Sequence, residues 1–241
     1  MRKTKIICTI GPASESEDMI RELCKAGMNV ARLNFSHGSH EEHKARVEKI
    51  KKIRTELDLP IAIMLDTKGP EYRIGVFENH KVELHEGDKF TFTTNEIIGD
   101  NTKVSVSYKN LAKELNIGDT ILVNNGLIEL KVENTTAEEI KCEVIIGGVL
   151  SDRKSMAFPG KHIHQKYLSD KDKEDLLFAI ENNLDFIACS FVSVRKDLEA
   201  VHEFLDANGG GDISLIAKIE NQSGYDNIEA ISELCSGIMV A

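Results

Sequence analysis

Short apolar runs alternate with amphipathic segments along the first part of the chain. The runs that predict buried strands are Lys5–Ile10, Met28–Leu33 and Ile61–Leu65. Between them, Ser14–Glu17 offers a capping box for a helix that ends at Gly27, and residues 41–57 show helical periodicity. This order is typical of βαβ units, in which the strands are parallel.

The pattern changes between Tyr72 and Lys154, where apolar and polar positions alternate with a period of two. The segments that predict strands are 81–84, 89–93, 103–107 and 120–123. Turn signals, among them Asn124-Asn-Gly126, lie between them. The block therefore predicts a small β-rich domain inserted into the βα series.

The βα alternation then resumes and continues to the end of the chain. Predicted helices cover 169–183, 193–208 and 225–235, and predicted strands cover Phe186–Cys189, Ser214–Ile219 and Gly237–Val240. Six core strands predict an α/β fold with a parallel sheet, either an incomplete (β/α)8 barrel of the TIM type or a doubly wound sheet. The predicted domains are residues 1–70 (barrel, first part), 71–155 (β-rich insertion) and 156–241 (barrel, second part).

Composition narrows the class of protein. The chain has 241 residues, 41% hydrophobic and 29% charged, which is typical of a soluble globular protein. Its net charge of -10 argues against nucleic acid or an anionic membrane as a partner. No apolar run reaches about 18 residues, and the start lacks a signal-peptide pattern. Five scattered cysteines predict reduced thiols and a cytoplasmic location: Cys8, Cys24, Cys142, Cys189 and Cys235.

Polar residues collect where three predicted strands end. Arg32, Asn34 and Ser36 are spaced to share one strand face, and Lys218 and Glu220 share another. The third strand ends in Asp66-Thr67. Active sites of parallel sheets lie at these carboxyl ends. A structural ion pair between Arg32 and Asp66, and a solvated strand end at Lys218, are the alternatives, but the three ends together favour a site.

The chemical groups at these ends suggest their roles. Arg32 and Lys218 supply positive charge for a phosphate or carboxylate, and Glu220 suits Mg²⁺. The oxygen-bearing side chains that could cage a second, larger cation are Asn34, Ser36, Asp66 and Thr67. The set points to Mg²⁺-assisted phosphoryl transfer or enolate chemistry. A Schiff base at Lys218 is the weaker alternative.

The histidines are weaker candidates for a functional site than the strand-end residues. His37, His40 and His43 have helical spacing, which would suit a metal site, but a polar helix start is the better interpretation, with only His37 near the site. His162 and His164 lie in a basic segment that predicts an exposed strand or loop.

Five segments together resemble pyruvate kinase. Among them are Gly27-Met-Asn-Val-Ala-Arg-Leu-Asn-Phe-Ser-His-Gly38 and Ala217-Lys-Ile-Glu-Asn221. The others are Thr4–Ser14, Leu65–Glu71 and Gly237–Ala241. They occur in the family's order and spacing and span the chain, so the set is far more specific than any one motif.

The resemblance implies a (β/α)8 barrel with a β-rich lid domain inserted after the third strand. It implies a glycolytic transferase that moves the phosphoryl group of phosphoenolpyruvate to ADP, giving pyruvate and ATP. The implied cofactors are Mg²⁺ (or Mn²⁺) and K⁺, and the full-length protein is expected to be a homotetramer.

The resemblance also implies residue roles. Arg32 would bind the transferring phosphoryl group, Lys218 would neutralise charge on that group and on the enolate oxygen, and Glu220 would hold Mg²⁺. The implied K⁺ ligands are Asn34, Ser36, Asp66 and, through its main chain, Thr67. The implied nucleotide-site residues are His37, Arg73 and Lys154. An acidic residue at Glu71 goes with dependence on K⁺.

Two departures from the family pattern lead to further expectations. The chain ends at Ala241, before the family's Arg-Gly-Asp-Leu-Gly segment with its second Mg²⁺ carboxylate. An isolated polypeptide of these residues is therefore expected to be non-catalytic. The segments Ser155–Phe158 and Lys161–Lys166 are unusual and would affect the lid hinge and nucleotide contacts. A Mg²⁺-dependent barrel lyase or aldolase acting through an enolate is a further alternative, although it does not explain the insertion.

Overall fold

The computed structural model describes residues 3–161 and 163–240; the expectation for His162 lies outside these residues. The first part of the chain forms three strands separated by two helices, close to the predicted positions. In order they are β1 (Ile7–Thr9), α1 (Glu17–Ala26), β2 (Val30–Asn34), α2 (His40–Glu56) and β3 (Ala62–Asp66).

Helix α1 begins at a different cap from the predicted one. The Ser16 side chain, not Ser14, accepts the N–H of Met19 at 3.2 Å. The Ser14 hydroxyl instead accepts the N–H of Gly11 at 3.1 Å and is therefore committed to the preceding turn. The helix ends as predicted at Gly27, whose φ of 106° is a left-handed conformation that glycine adopts without strain.

The insertion is a separate, mostly antiparallel β structure. Its elements are β4 (Lys81–Leu84), β5 (Lys89–Thr93), β6 (Lys103–Ser105), α3 (Leu111–Glu114), β7 (Thr120–Val123), β8 (Ile128–Thr135), β9 (Glu139–Ile146), β10 (Gly148–Ser151) and β11 (Met156–Ala157). One sheet has the strand order β11-β7-β8-β9-β5-β6, and β10 pairs with β4 in a second sheet. The predicted turn at Asn124–Gly126 joins β7 to β8, and all three residues have positive φ.

The insertion extends further than the sequence pattern predicted. The contacts of the chain define one compact unit that ends at Pro70 and resumes at Lys166, and another that comprises Glu71–Gln165 with Asn221–Ser223. The sequence pattern predicts that the barrel resumes at residue 156. Instead, Met156 pairs with Val123, and Met156 and Phe158 are buried in the core of the second unit.

The last part of the chain completes the parallel series. Its elements are α4 (Asp170–Glu181), β12 (Phe186–Cys189), α5 (Arg195–Ala207), β13 (Ser214–Ile219), α6 (Gln222–Asp226), α7 (Ile228–Ser232) and β14 (Gly237–Val240). The helix predicted over 225–235 is wrong: two short helices meet at Asn227. The Asn227 side chain donates to the carbonyl of Ser193 at 3.2 Å, and its backbone (φ -104°, ψ 12°) is not helical.

The six strands of the first unit form one parallel sheet in the order of the sequence, β1-β2-β3-β12-β13-β14. Right-handed crossovers between sequential neighbours place all helices on one face of the sheet, as in a barrel. A doubly wound sheet would reverse its strand order and carry helices on both faces. The helices accordingly share one continuous core with the sheet, built around Ile20, Leu33, Ile50, Leu65 and Leu176. The predicted barrel-type fold is confirmed.

All five cysteines are free thiols. Burial raises the pKa of Cys142 to about 12 and the pKa of Cys189 far above its usual value. Within the part of the chain that the structure describes, no helix has both the length and the apolar character needed to cross a membrane.

Candidate active site

Four strands of the parallel sheet bring charged and polar side chains to one edge. Arg32 lies on β2, Asp66 ends β3, Ser190 follows β12, and Lys218 lies near the end of β13. Their strands are neighbours in the sheet and run in the same direction, so their carboxyl ends meet. The structure thus joins Arg32, Asp66 and Lys218 as the sequence predicted.

Asp66 lies at the centre of this group. Its side chain is 1% exposed and is shared by two cations. Arg32 Nε donates to Oδ2 at 2.7 Å, and Arg32 Nη2 contacts the same oxygen. Lys218 Nζ donates to Oδ1 at 3.0 Å. The ion pair between Arg32 and Asp66, which the sequence left as a structural alternative, is therefore present within the site.

Lys218 is enclosed by oxygen atoms. Its amine lies 3.0 Å from Asp66 Oδ1, 2.8 Å from Ser190 Oγ and 3.4 Å from Glu220 Oε1. Only 11% of the side chain is exposed, so these oxygens replace most of its water. Such a held, partly accessible amine suits an anion that arrives at the strand ends.

The second strand carries its polar residues differently from the prediction. Arg32 and Asn34 share one face of β2, because Ala31 and Leu33, which alternate with them, are fully buried on the other face. Ser36 does not continue this row: β2 ends at Asn34, and Phe35 and Ser36 form a turn. Phe35 is buried and its ring stacks on His43, and the N–H of His37 donates to the carbonyl of Asn34 at 3.3 Å, which closes the turn. The Ser36 N–H donates to Asn34 Oδ1 at 3.0 Å.

The predicted K⁺ ligands supply the right kind of atom. Asn34 and Asp66 are paired neighbours on β2 and β3, and Thr67 follows directly. Amide, carboxylate, hydroxyl and carbonyl oxygens are the ligands that K⁺ takes in place of water. The residues therefore fit such an ion by their donor chemistry.

Glu220 is held at the end of β13. Its Oε2 accepts the N–H of Phe191 at 2.9 Å, and its Oε1 faces Lys218. Mg²⁺ commonly takes one or two carboxylates together with substrate oxygens, so Glu220 fits as one of its ligands. Among residues 3–161 and 163–240, no group of three or more His, Cys, Asp or Glu side chains is arranged around a metal position.

Two further positions at this end of the sheet were not predicted from the sequence, namely Ser190 and Phe191. Both follow β12, the strand whose carboxyl end was not considered, so their position after Phe186–Cys189 was the available signal. Phe191 has a φ of 57°, which is rare for a bulky residue, and this conformation directs its N–H to Glu220.

The three histidines at the start of α2 lie in different environments. His37 is exposed in the turn after β2. His40 Nε2 lies 2.6 Å from Asp175 Oδ1. The prediction that His43 belongs to a polar helix start is wrong. His43 is 2% exposed and stacks on Phe35 with ring centroids 3.9 Å apart. Its Nε2 lies 2.8 Å from the carbonyl oxygen of His37 and so holds that turn.

The basic residues expected near the nucleotide lie in the second unit. Arg73 forms a β-bridge with Ser155, and the N–H of Ile74 donates to the carbonyl of Lys154 at 3.0 Å. Arg73 and Lys154 are thus neighbours on paired segments. Arg73 Nε also donates to Glu71 at 2.6 Å, which fixes the direction of the guanidinium.

Comparison with known proteins decides the family. The model of the pyruvate kinase barrel domain matches residues 1–241. The chain belongs to the pyruvate kinase family. Membership of this family leaves the lyase alternative without support.

Individual relatives agree with this assignment. The chain is 48% identical over 242 residues to a pyruvate kinase of Clostridium perfringens. That alignment includes 100% of this chain and 51% of the Clostridium protein. A Staphylococcus aureus pyruvate kinase is 48% identical over 243 residues, with 41% of its length covered. The chain therefore spans about half the length of the curated relatives it matches.

A solved structure of the family has the same fold. It is the crystal structure of a pyruvate kinase from Cryptosporidium parvum, with a TM-score of 0.93 and 38% sequence identity. The match covers 100% of this chain and 50% of that structure. The barrel strands and the inserted β unit are thus features that this chain shares with the family.

Proposed function

We propose that the protein that carries this chain transfers the phosphoryl group of phosphoenolpyruvate to ADP, giving pyruvate and ATP. The observation that carries the proposal is the enclosed Lys218 amine, which lies within 3.4 Å of Asp66, Ser190 and Glu220 at the carboxyl ends of the barrel strands. The family membership of the chain supports the same reaction.

The cationic side chains act on the anionic substrate. Arg32, whose side chain is 25% exposed, would bind the transferring phosphoryl group through its guanidinium. Lys218 would stabilise the charge that develops on that group and on the enolate oxygen. Asp66 orients both side chains through its hydrogen bonds to them.

Two cations complete the proposed site. Glu220 would hold Mg²⁺ (or Mn²⁺), and K⁺ would be held by Asn34, Ser36, Asp66 and the main chain of Thr67. When bound, the metal ions neutralise phosphoryl charge and orient the substrate oxygens. Phe191 keeps Glu220 in place through its N–H, and Glu71 fits the expected dependence on K⁺.

Basic and polar side chains would bind the nucleotide. Arg73 and Lys154 carry positive charge suited to the phosphates of ADP, and the exposed His37 lies in the turn after β2. The resemblance also supports a cytoplasmic homotetramer as the form of the complete protein.

The substitution Lys218→Met tests the proposal. In the full-length protein that carries this chain, kcat for pyruvate formation should fall by a factor on the order of 10³, because transition-state charge loses its partner. A coupled assay with phosphoenolpyruvate, ADP, MgCl2 and KCl measures the rate. Lys52→Met is the matched control, since Lys52 forms only a surface pair with Glu17 and should leave kcat unchanged.

Retention of the wild-type kcat by Lys218→Met would reject the assignment of Lys218. An absence of pyruvate formation by the unmodified full-length protein would reject the proposed reaction itself.

A further inference from the structure

Ser190 occupies a buried position among the residues of the proposed site. Its side chain follows β12 directly and is 1% exposed. Its Oγ lies 2.8 Å from Lys218 Nζ, 3.1 Å from Asp66 Oδ1 and 2.6 Å from the carbonyl oxygen of Thr67. A hydroxyl has one proton and two lone pairs. It therefore accepts from Lys218 and donates to Thr67 or Asp66.

The backbone of Ser190 is fixed independently of its hydroxyl. Tyr167 Oη donates to the Ser190 carbonyl at 2.8 Å, and the Ser190 N–H donates to Thr67 Oγ1 at 3.1 Å. Gly69, with φ of 64°, packs against the same carbonyl so closely that a Cβ there would lie 2.6 Å from the oxygen. These contacts fix the Ser190 backbone, and the direction of the hydroxyl is set by its own bonds to Lys218, Thr67 and Asp66.

We propose that Ser190 is a positioning residue that fixes the Lys218 amine and the Thr67 carbonyl oxygen relative to each other. The inference rests on the proposed function, since it connects the phosphoryl-binding amine to a proposed K⁺ ligand. Ser190 itself contacts neither substrate nor metal ion. Its hydroxyl orients the groups that do, and partners of metal ligands contribute 10- to 100-fold to metal affinity or activity.

Ser190→Ala in the full-length protein tests this role. Loss of the hydroxyl should raise the K⁺ concentration for half-maximal activity about tenfold and lower kcat about tenfold. The KM for phosphoenolpyruvate should change less than about threefold, because Arg32 keeps its bonds to Asp66. A purely structural role would lower the yield or melting temperature and leave the K⁺ dependence unchanged.

A second readout does not depend on activity. The melting temperature is followed during titration with KCl against NaCl at constant ionic strength. Wild-type protein should be stabilised specifically by KCl, and Ser190→Ala should need about tenfold more KCl for the same shift. Tyr167→Phe is the matched control: it removes one bond to the Ser190 carbonyl but keeps the Ser190 hydroxyl and the bond from the Ser190 N–H to Thr67. It should lower the melting temperature without altering the KCl response.

The outcomes separate this inference from the proposed function. An unchanged KCl response in Ser190→Ala, or the same change in Tyr167→Phe, would overturn the role of the hydroxyl even if Lys218→Met is inactive. A wild-type protein that forms no pyruvate but loses its KCl response on Ser190→Ala would reject the reaction and retain the positioning role. No specific stabilisation of wild-type protein by KCl would overturn the inference.

Discussion

His43 shows how a single buried residue can make stability depend on pH. Burial lowers the pKa of its imidazole, and the neighbouring Arg46 acts in the same direction. The hydrogen bond to the His37 carbonyl and the charges of Asp175 and Glu42 act in the opposite direction. Together these effects lower the pKa of His43. There is therefore a pH range in which His43 is neutral in the folded protein and protonated in the unfolded chain.

The direction of the pH effect follows from this pKa difference. The unfolded histidine has a pKa of about 6.5. As the pH falls below that value, the unfolded state binds a proton that the folded state does not, and the free energy of unfolding decreases. His43→Gln keeps a hydrogen-bond donor but cannot titrate. Urea unfolding of this variant should therefore depend less steeply on pH between 7.5 and 5.5, a window set about the unfolded value.

His85→Gln is the control for that measurement, because His85 is exposed in the other unit. It should follow the pH dependence of the wild-type protein. An equal slope in His43→Gln and wild-type protein would contradict the account.

Residue positions were predictable where local pattern and tertiary contacts agree. Arg32 and Lys218 reached the expected site, since strand alternation fixes the face on which each lies. Ser36 left its predicted row because its N–H donates to Asn34 Oδ1 in the turn that ends the strand. Ser190 was missed because its role comes from contacts with Asp66 and Lys218, which are 124 and 28 positions away in the sequence.

At the scale of elements, Asp172 connects the start of α4 to the loop that follows β3. Its Oδ2 accepts the N–H of Ser169 at 3.0 Å, and its Oδ1 accepts the N–H of Gly69 at 3.2 Å. The side chain is buried, so the loss of either bond leaves a donor without water. Helix α4 and the strand-end loop are therefore held together by one carboxylate.

Removal of that carboxylate should be costly. Asp172→Ala should lower the free energy of unfolding by about 2 kcal/mol, because a helix cap and a buried hydrogen bond are lost. Urea denaturation measures the change. Asp170→Ala is matched in residue type and helix turn, but its side chain is 96% exposed and pairs only with Lys173, so no measurable change is expected. Equal losses in both variants would show that the connection to Gly69 contributes nothing.

Secondary-structure elements were predicted best where the hydrophobic pattern is bounded by turn residues. Strands β4, β5 and β7 have the predicted bounds, because each is a short alternating run between turn residues. The helix expected over 225–235 failed, since apolar periodicity there could not reveal the bond from Asn227 to Ser193. A tertiary hydrogen bond of this kind overrides helical propensity.

For the whole molecule, each of the two units has its own core. In the barrel unit, Ile50 is fully buried, and in the inserted unit Phe92 is fully buried. Neither residue belongs to the other core. A loss of packing in one unit should therefore remain largely within that unit.

Paired cavity substitutions test this independence. Phe92→Ala and Ile50→Ala should each cost about 3 kcal/mol or more. Hydrogen exchange followed by mass spectrometry should show faster exchange in peptides from 89–144 for the first variant and from 28–65 for the second. Faster exchange throughout the chain in both variants would indicate a single cooperative unit.

The boundary of the inserted unit also shows what sequence alone could supply. The change from helical to alternating pattern located its start near Glu71, because the two periodicities differ. Its end was placed ten residues early, since the pairing of Met156 with Val123 joins segments that are distant in the sequence. Fold class was thus readable from periodicity, whereas a boundary set by strand pairing was not.

The ion cluster at the strand ends has one more consequence. Arg32 and Lys218 are balanced by Asp66 and Glu220, so the cluster is close to electrically neutral before any ligand arrives. A phosphorylated anion that bound alone would add uncompensated negative charge to this largely buried ion cluster. Its uptake should therefore be thermodynamically coupled to that of metal cations, and the coupling is reciprocal: each partner raises the affinity for the other by the same factor.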